Sequence, residues 1–250
     1  SYVGRSINNT GKFIRFSVSQ AGFHGQISEP GKLTYYIDPY TKDKSVYIAY
    51  SAADLVNTSS DVFSCETDNK MYEKALNTPA KESFKATDDS TIRLYELAMS
   101  CAGEYGALFI GDATTDEEKK ANIMAQIVVT MTRVNGIYEK ELGITFQLVP
   151  ENMKIIFFDP ATDPYDGEYN ATTQVLIDAV IGDANYDIGH NFNTSGSGNA
   201  GCIGCVCNSG NKGLQRGNNF LTNCYLLYPF KLNFIRSITV ILKKYLHVTR

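Results

Sequence analysis

The sequence predicts an α/β (α+β) fold, in which a mixed twisted sheet with two helices follows a small all-β segment. Three observations lead there. A long amphipathic run, Asp116 to Leu142, sits between short β-branched runs, so that strands and helices alternate. The first fifty residues carry no helical period and are rich in Tyr, Ile and Val between turn residues. The 250-residue chain is 43% apolar and 20% charged. Its mean hydropathy is −0.20, a globular composition that excludes collagen-like, coiled-coil and disordered readings.

Residues 1–56 form the β-rich segment. Lys12 to Ser19 alternates around Phe13, Phe16 and Val18. Leu33 to Ile37 and Ser45 to Tyr50 are aromatic and β-branched, and Asp38 to Asp43 makes the turn between them. Gly22, Gly25 and Gly31 read as punctuation of the earlier turns. Such a meander is thin as a core of its own. Residues 57–90 are polar and weakly patterned, the composition of a linker.

Residues 91–213 hold the main domain. Its first strand runs from Ile92 to Cys101, with Leu94, Glu96, Ala98 and Ser100 on one face and Arg93, Tyr95, Leu97, Met99 and Cys101 on the other. The helix from Asp116 follows, with Thr115 or Asp116 as N-cap and Glu117 and Glu118 in a first turn that favours negative charge. Its apolar stripe is Ile123, Ile127, Met131, Val134, Tyr138 and Leu142, and Gly143 ends it. A strand is expected at Ile144 to Val149, a further β run at Lys154 to Phe158, a loop at Asp159 to Pro164 and a helix at Thr172 to Gly182. Strands at Tyr186 to Phe192 and Gly201 to Cys207 complete the domain, the flexible Ser195 to Asn199 lying between them.

Charge divides the chain. All 27 acidic residues lie in residues 1–187, where 16 Lys and Arg leave −11; residues 188–250 hold 7 basic residues and no acidic one. The aromatics Phe220, Tyr225, Tyr228, Phe230, Phe234 and Tyr245 interleave with the basic residues, but without a basic run, and no nucleic-acid partner is expected. The most apolar stretch, Phe220 to Leu246, is interrupted by Pro229, Lys231, Arg236, Lys243 and Lys244, so no membrane span is expected. The sequence starts at Ser1 without a basic-then-apolar leader, which implies that any secretion signal is missing or removed.

The candidates for chemistry are few. The three histidines, His24, His190 and His247, include no pair at helical spacing and no HExxH. Cys202-Ile-Gly-Cys205-Val-Cys207 contains a CxxC that could clasp zinc or act as a redox pair. Without a second ligand pair it reads as a glycine-rich strand whose cysteines find disulfide partners elsewhere. His190 reads as structural, and a Cys–His nucleophile pair has only sequence proximity behind it. Asp159, Asp163, Asp166 and Glu168 lack the spacing of a calcium loop and read as solvated.

Several stretches, in order, resemble one family. Thr132 to Leu148 looks like the end of the first helix and the second strand of reprolysin-like metzincin zinc metallopeptidases. Leu94 to Tyr105, Tyr186 to Phe192 and Gly198 to Cys207 are similar to the bacterial secreted branch, and Gly31 to Lys44 to the pro-segment before its catalytic domain. The resemblance covers residues 12–213 and implies a metzincin-like upper subdomain preceded by a β pro-segment. It also implies a secreted zinc-dependent endopeptidase, zinc as cofactor and a protein or peptide as substrate. The strand matching Gly201 to Cys207 would be the rim of the cleft, with Ile203, Gly204, Cys205 and Val206 binding substrate by strand pairing. Cys65, just before the catalytic region, would be a zymogen cysteine switch, or else a disulfide partner of Cys101 or Cys224.

The family's HExxHxxGxxH helix has no counterpart after Gly213, so no catalytic residue or metal ligand is carried over. Residues 214–250 read as an atypical basic tail, first as a frame-shifted end, then as a genuine alternative terminus and last as a functional basic module, and the chain is expected to be inactive alone. The alternative is a non-catalytic peptide-binding or inhibitory homologue that uses the rim strand.

Overall fold

The structure is a computed structural model that describes residues 1–8, 11–54, 64–65, 90–195, 197–202 and 204–218. The linker reading therefore falls almost entirely outside the described residues, as do Ile203, Cys224, His247 and the rest of the tail.

The N-terminal segment is a five-stranded antiparallel meander: β1 (Tyr2–Arg5), β2 (Phe13–Ser19), β3 (Gly22–Ser28), β4 (Tyr35–Pro39) and β5 (Tyr47–Ser51), paired in that order. Strand β3 occupies the stretch that its glycines mark as turns. Gly22 does turn the chain, at φ +100°, but Gly25 sits mid-strand opposite Phe16 and Ile37. A Cβ there would stand 3.1 Å from the Phe23 ring, so this glycine makes room for a neighbouring aromatic.

The second sheet has the order β6-β10-β11-β9-β7-β8, from β6 (Ser64–Cys65), β7 (Arg93–Cys101), β8 (Ile144–Leu148), β9 (Ile188–Asn193), β10 (Ser197–Ala200) and β11 (Gln215–Asn218). Strands β8, β7, β9 and β11 run parallel, and β10 is antiparallel to β11. Among the described residues the α-helices are α1 (Gly103–Ala107), α2 (Asp116–Leu142) and α3 (Tyr169–Val180). No described helix is long and apolar enough to cross a membrane.

Helix α2 keeps the bounds its sequence predicts. The Thr115 hydroxyl accepts from Glu118 N while the Glu118 carboxylate accepts from Thr115 N, a capping box, and Gly143 closes the helix at φ +63°. Its stripe buries Ile123, Ile127, Met131, Val134 and Tyr138 against Leu97, Met99 and Cys101 of β7. The other face of β7 presents Ala98 to a second cluster, with Ile177 of α3, Ile155, Ile181 and Tyr186. Both faces of the parallel sheet are thus covered, as parallel strands require.

Two local expectations give way to side-chain hydrogen bonding and turns. Lys154 to Phe158 is not a strand: Asn152–Ile155 forms a 3-10 turn, and Ile156 makes a single bridge to Cys101. The Asn152 amide takes a strand's place, accepting from Met99 N at 2.7 Å and donating to Met99 O at 2.8 Å. Asn135 of α2 treats the outer edge of β8 in the same way, donating to Phe146 O and accepting from its N–H, both at 2.8 Å. Gly201 to Cys207 is not a strand either. Gly204 at φ +76° and Cys207 at φ +58° break any extended run, and Cys202 is bonded to Cys205 rather than to a distant cysteine. The strand lies just before, at Ser197–Ala200, in the stretch expected to be flexible. Strand β11 lies within the expected atypical tail, so regular structure continues at least to Asn218.

The meander docks on α2 through its polar face. Arg15 of β2 pairs with Glu139, Nε to Oε2 at 3.1 Å. Asp38 of β4 accepts from Arg133 of α2, from Tyr50 OH at 2.6 Å and from His24 Nδ1 at 2.6 Å. Gly136 faces Gln26, with room for no Cβ closer than 3.1 Å to its amide. The meander needs no core of its own, because α2 closes one side of it.

Candidate functional site

The candidate site is the β6-β10-β11 side of the second sheet. Strand β9 is buried along its whole length and carries β11 in parallel register, Asn191 opposite Arg216 and Phe192 opposite Gly217. β10 turns back antiparallel, Gly198 opposite Gly217 and Ala200 opposite Gln215. On the outer side of β10 lies β6, Ser64 opposite Ser197 and Cys65 opposite Gly198, in the parallel sense. The residues contributing the edge are small, Ser-Gly-Asn-Ala, so what β10 offers a neighbour is chiefly backbone N–H and C=O groups.

This edge is braced from behind. Asn170 of α3 donates to Asn199 Oδ1 at 2.5 Å, and the Arg216 guanidinium lies 5.5 Å from the Tyr169 ring centre while donating to Ser195 Oγ at 2.8 Å. Asn193 Oδ1 accepts from Ser195 N at 2.9 Å, closing the turn from β9 into β10. Gly201 lets the chain leave β10 against Asn170: a Cβ there would stand 2.8 Å from the Asn170 amide.

The titratable groups nearby are tuned away from reactivity. His190 of β9 is wholly buried, its ring edge-on to Phe192 with centres 5.5 Å apart, and burial pushes its pKa down to about 3. It is a neutral packing residue at neutral pH. Burial pushes the Cys101 thiol up to about 12. Burial and the Asp187 carboxylate raise Cys207 to about 11, its Sγ donating to Asp187 Oδ1 at 3.3 Å. Neither is a thiolate nucleophile near neutrality.

Among the described residues the donor set does not fit the zinc that the resemblance implies. His24 is committed to Asp38 and Ala21 O in the N-terminal sheet, and His190 is enclosed in the second one. Among the described residues no three His, Cys, Asp or Glu side chains gather in a way that could hold a metal ion. The acidic loop is spent on turns: Asp163 accepts from Gly103 N and Tyr165 N, and Asp159 from Ala161 N.

Of the residues read as the rim, Gly204, Cys205 and Val206 are buried in turns after β10, and Cys65 is a backbone partner of Gly198. Cys101, the expected alternative partner for Cys65, is a free buried thiol. The edge Ser197–Ala200 and its neighbour β6 escape sequence reading. Their small residues have low strand propensity, and the pairing lies in backbone groups that every residue shares. The one available signal is positional, a short run between β9 and the next strand.

Residues 124–233 match the family model described as metallo-peptidase family M12B, reprolysin-like. The match begins inside α2, includes β8, α3, β9, β10 and β11, and runs past Gly213, where the sequence resemblance was placed to end. No curated protein matches the chain.

Proposed function

We propose, from the match of residues 124–233 to the reprolysin-like M12B metallopeptidase model, that the chain is the pro-segment and upper subdomain of a secreted zinc-dependent endopeptidase in its latent form. The observation that carries this reading is β6 on the edge of β10. A peptide substrate would add to β10 as a further strand, its main chain satisfying the edge whatever its side chains. Ser64 and Cys65, from the segment before the family region, already take that place. They would have to leave before substrate could pair, and Cys65 is then positioned in sequence to be the zymogen switch.

The family implies zinc and a hydrolytic step, but the described residues supply no ligand set, and we assign them no part in that step. What they do is bind and orient: β10 and β11 present the edge, and α3 holds it in place through Asn170 and Tyr169. The chain by itself does not cleave peptides. A non-catalytic peptide-binding homologue would use the same edge, and activity separates the two readings only once the rest of the machinery is present.

The test is metal analysis with a casein cleavage assay on the full chain, alongside peptide binding by the Ser64→Pro variant, in which strand addition by β6 is broken. No chelator-sensitive cleavage, together with peptide binding that appears only in Ser64→Pro, supports the proposal. Stoichiometric zinc with chelator-sensitive cleavage overturns the inactivity. Equal peptide binding with and without the substitution overturns the role given to β6.

A further inference from the structure

The two faces of the second sheet are covered differently where β9, β11 and β10 lie side by side. One cross-strand row, Asn191, Arg216 and Asn199, turns towards α3, whose Asn170 and Tyr169 meet it. The adjacent row, Cys101, Phe192, Gly217 and Gly198, turns to the opposite side, where Cys101 and Phe192 join the core beneath α2. Ala200 and Gln215, paired with each other, continue that side. Arg216 and Asn199 stay partly exposed although α3 lies over them. Gln215 and Ala200 are 0% exposed, and Gly198 and Gly217 are buried. No described helix packs on β10 or β11 from that closed side. Helix α2 packs on β8 and on β2 and β3 of the meander, α1 on β9, and α3 on β9 and β11 from the other face. From the loop after β10, Val206 joins the cluster that holds Ala200, a single side chain for two strands.

We propose that the segment after Asn218, beginning with Phe220 to Tyr228, lies on this face and completes the domain core there. Burial of four strand residues requires a cover, and continuity of the chain selects this one: β11 ends at Asn218, in the very bed to be covered, and 32 residues follow. Composition agrees. Residues 219–228 carry no charge and bring Phe220, Leu221, Tyr225, Leu226, Leu227 and Tyr228. Residues 66–89, the other long stretch outside the described ones, are dense in Lys, Glu and Asp, which a closed face does not take without partners. The dimensions suit one segment. Three strands about 4.8 Å apart make a bed about 10 Å across, the width of a single element with its side chains and too narrow for a second domain. Gly198 and Gly217 stand opposite each other, so its floor lacks side chains and admits large ones from above. Beside them Gln215 Oε1 is buried and receives no hydrogen bond from the described residues, an acceptor turned to whatever lies on the strand. The family match runs through the same stretch, to residue 233. The tail that reads as atypical in the sequence is then part of the folded domain, and it closes the sheet directly behind the β10 edge.

Methyl-labelled full-length chain tests this by nuclear magnetic resonance. The Ala200 methyl should give cross-peaks to methyl groups of Leu221, Leu226 or Leu227, and these should persist on dilution. Leu226→Asp/Leu227→Asp places two carboxylates on the face and should speed amide exchange of Gln215 to Asn218 by roughly a hundredfold, as expected for uncovering a buried leucine. Val175→Asp, on α3 at 69% exposure, should leave that exchange unchanged. Absence of any cross-peak between Ala200 and residues beyond Asn218 overturns the proposal, as does unchanged exchange in the double variant. So do cross-peaks found only between differently labelled copies, which would make the cover a second chain, or cross-peaks to residues 55–63 or 66–89 in their place. If the double variant fails to fold, the cross-peaks of the unsubstituted chain decide the question.

Discussion

Replacing Asp38 by Ala tests how the N-terminal sheet is held to the main domain. The carboxylate is 1% exposed and receives three donors: the Arg133 guanidinium from α2, the Tyr50 hydroxyl and the His24 ring. Arg133 is itself 4% exposed, with its guanidinium 5.6 Å from the Tyr36 ring centre. Removing Asp38 leaves a buried cation without a counter-ion and two further donors unanswered, a change that costs about 3–5 kcal/mol. For a chain of this size that corresponds to a drop in melting temperature of about 6–20 °C. Arg133→Met takes away the cation and leaves Asp38 bonded to Tyr50 and His24, so its cost should be smaller, about 1.5–3 kcal/mol. The double variant Asp38→Leu/Arg133→Met should cost less than the sum of the singles, because no buried charge remains. Urea unfolding followed by circular dichroism measures all three, with Glu151→Ala as a reference. Glu151 pairs with Lys154 at 2.6 Å in the open, and its loss should cost at most about 1 kcal/mol. If Asp38→Ala costs no more than Glu151→Ala, the buried pair does not fasten the sheet and the reasoning fails.

Three other outcomes follow from named contacts. His190 has a folded pKa of about 3, below its unfolded value of about 6.5, so the unfolded state binds the extra proton and stability must fall as pH drops from 6.5 towards 3. Between pH 6.5 and 5 this amounts to about 1.6 kcal/mol, and His190→Gln should flatten that part of the urea-midpoint profile. Gly106→Ala puts a Cβ 1.9 Å from the Phe157 carbonyl oxygen, a backbone atom that cannot swing away, and should cost about 3 kcal/mol or more in chemical unfolding. Thr115→Ala removes the hydroxyl half of the α2 capping box and should lower stability by about 1 kcal/mol, measurable as a shift in melting temperature.

Helix α2 shows what is legible in the chain itself. Thr115, Glu118, the stripe from Ile123 to Tyr138 and Gly143 act on neighbours within a turn or two, so their pattern states the element and its burial together. The same locality makes β7 readable, its alternate residues serving two clusters on opposite faces. The family resemblance, too, is carried by local stretches, and the match over residues 124–233 includes Thr132 to Leu148, Tyr186 to Phe192 and Gly198 to Cys207, while Leu94 to Tyr105 and Gly31 to Lys44 lie outside it. Strand β3 and the 3-10 turn after β8 are less readable, because a glycine that admits a ring and an asparagine that imitates a strand look like turn residues in sequence.

The candidate site belongs to the other kind of information. β6 lies more than a hundred residues before β10 and β11, and what joins them is backbone hydrogen bonding at an edge of Ser, Gly and Asn, which has no side-chain signature. The polar inner face of the N-terminal sheet is equally hidden: Arg15, His24 and Asp38 look like surface residues until Arg133 and Glu139 of α2 are brought against them. The sequence alone establishes the long helix α2 and strand β7, and residues 124–233 match the reprolysin-like family model, since both depend on near neighbours and ordered local motifs. Which segment pairs with the edge of β10, and which face of the first sheet turns outward, depend on contacts between distant segments whose groups acquire meaning only when the chain has closed around them.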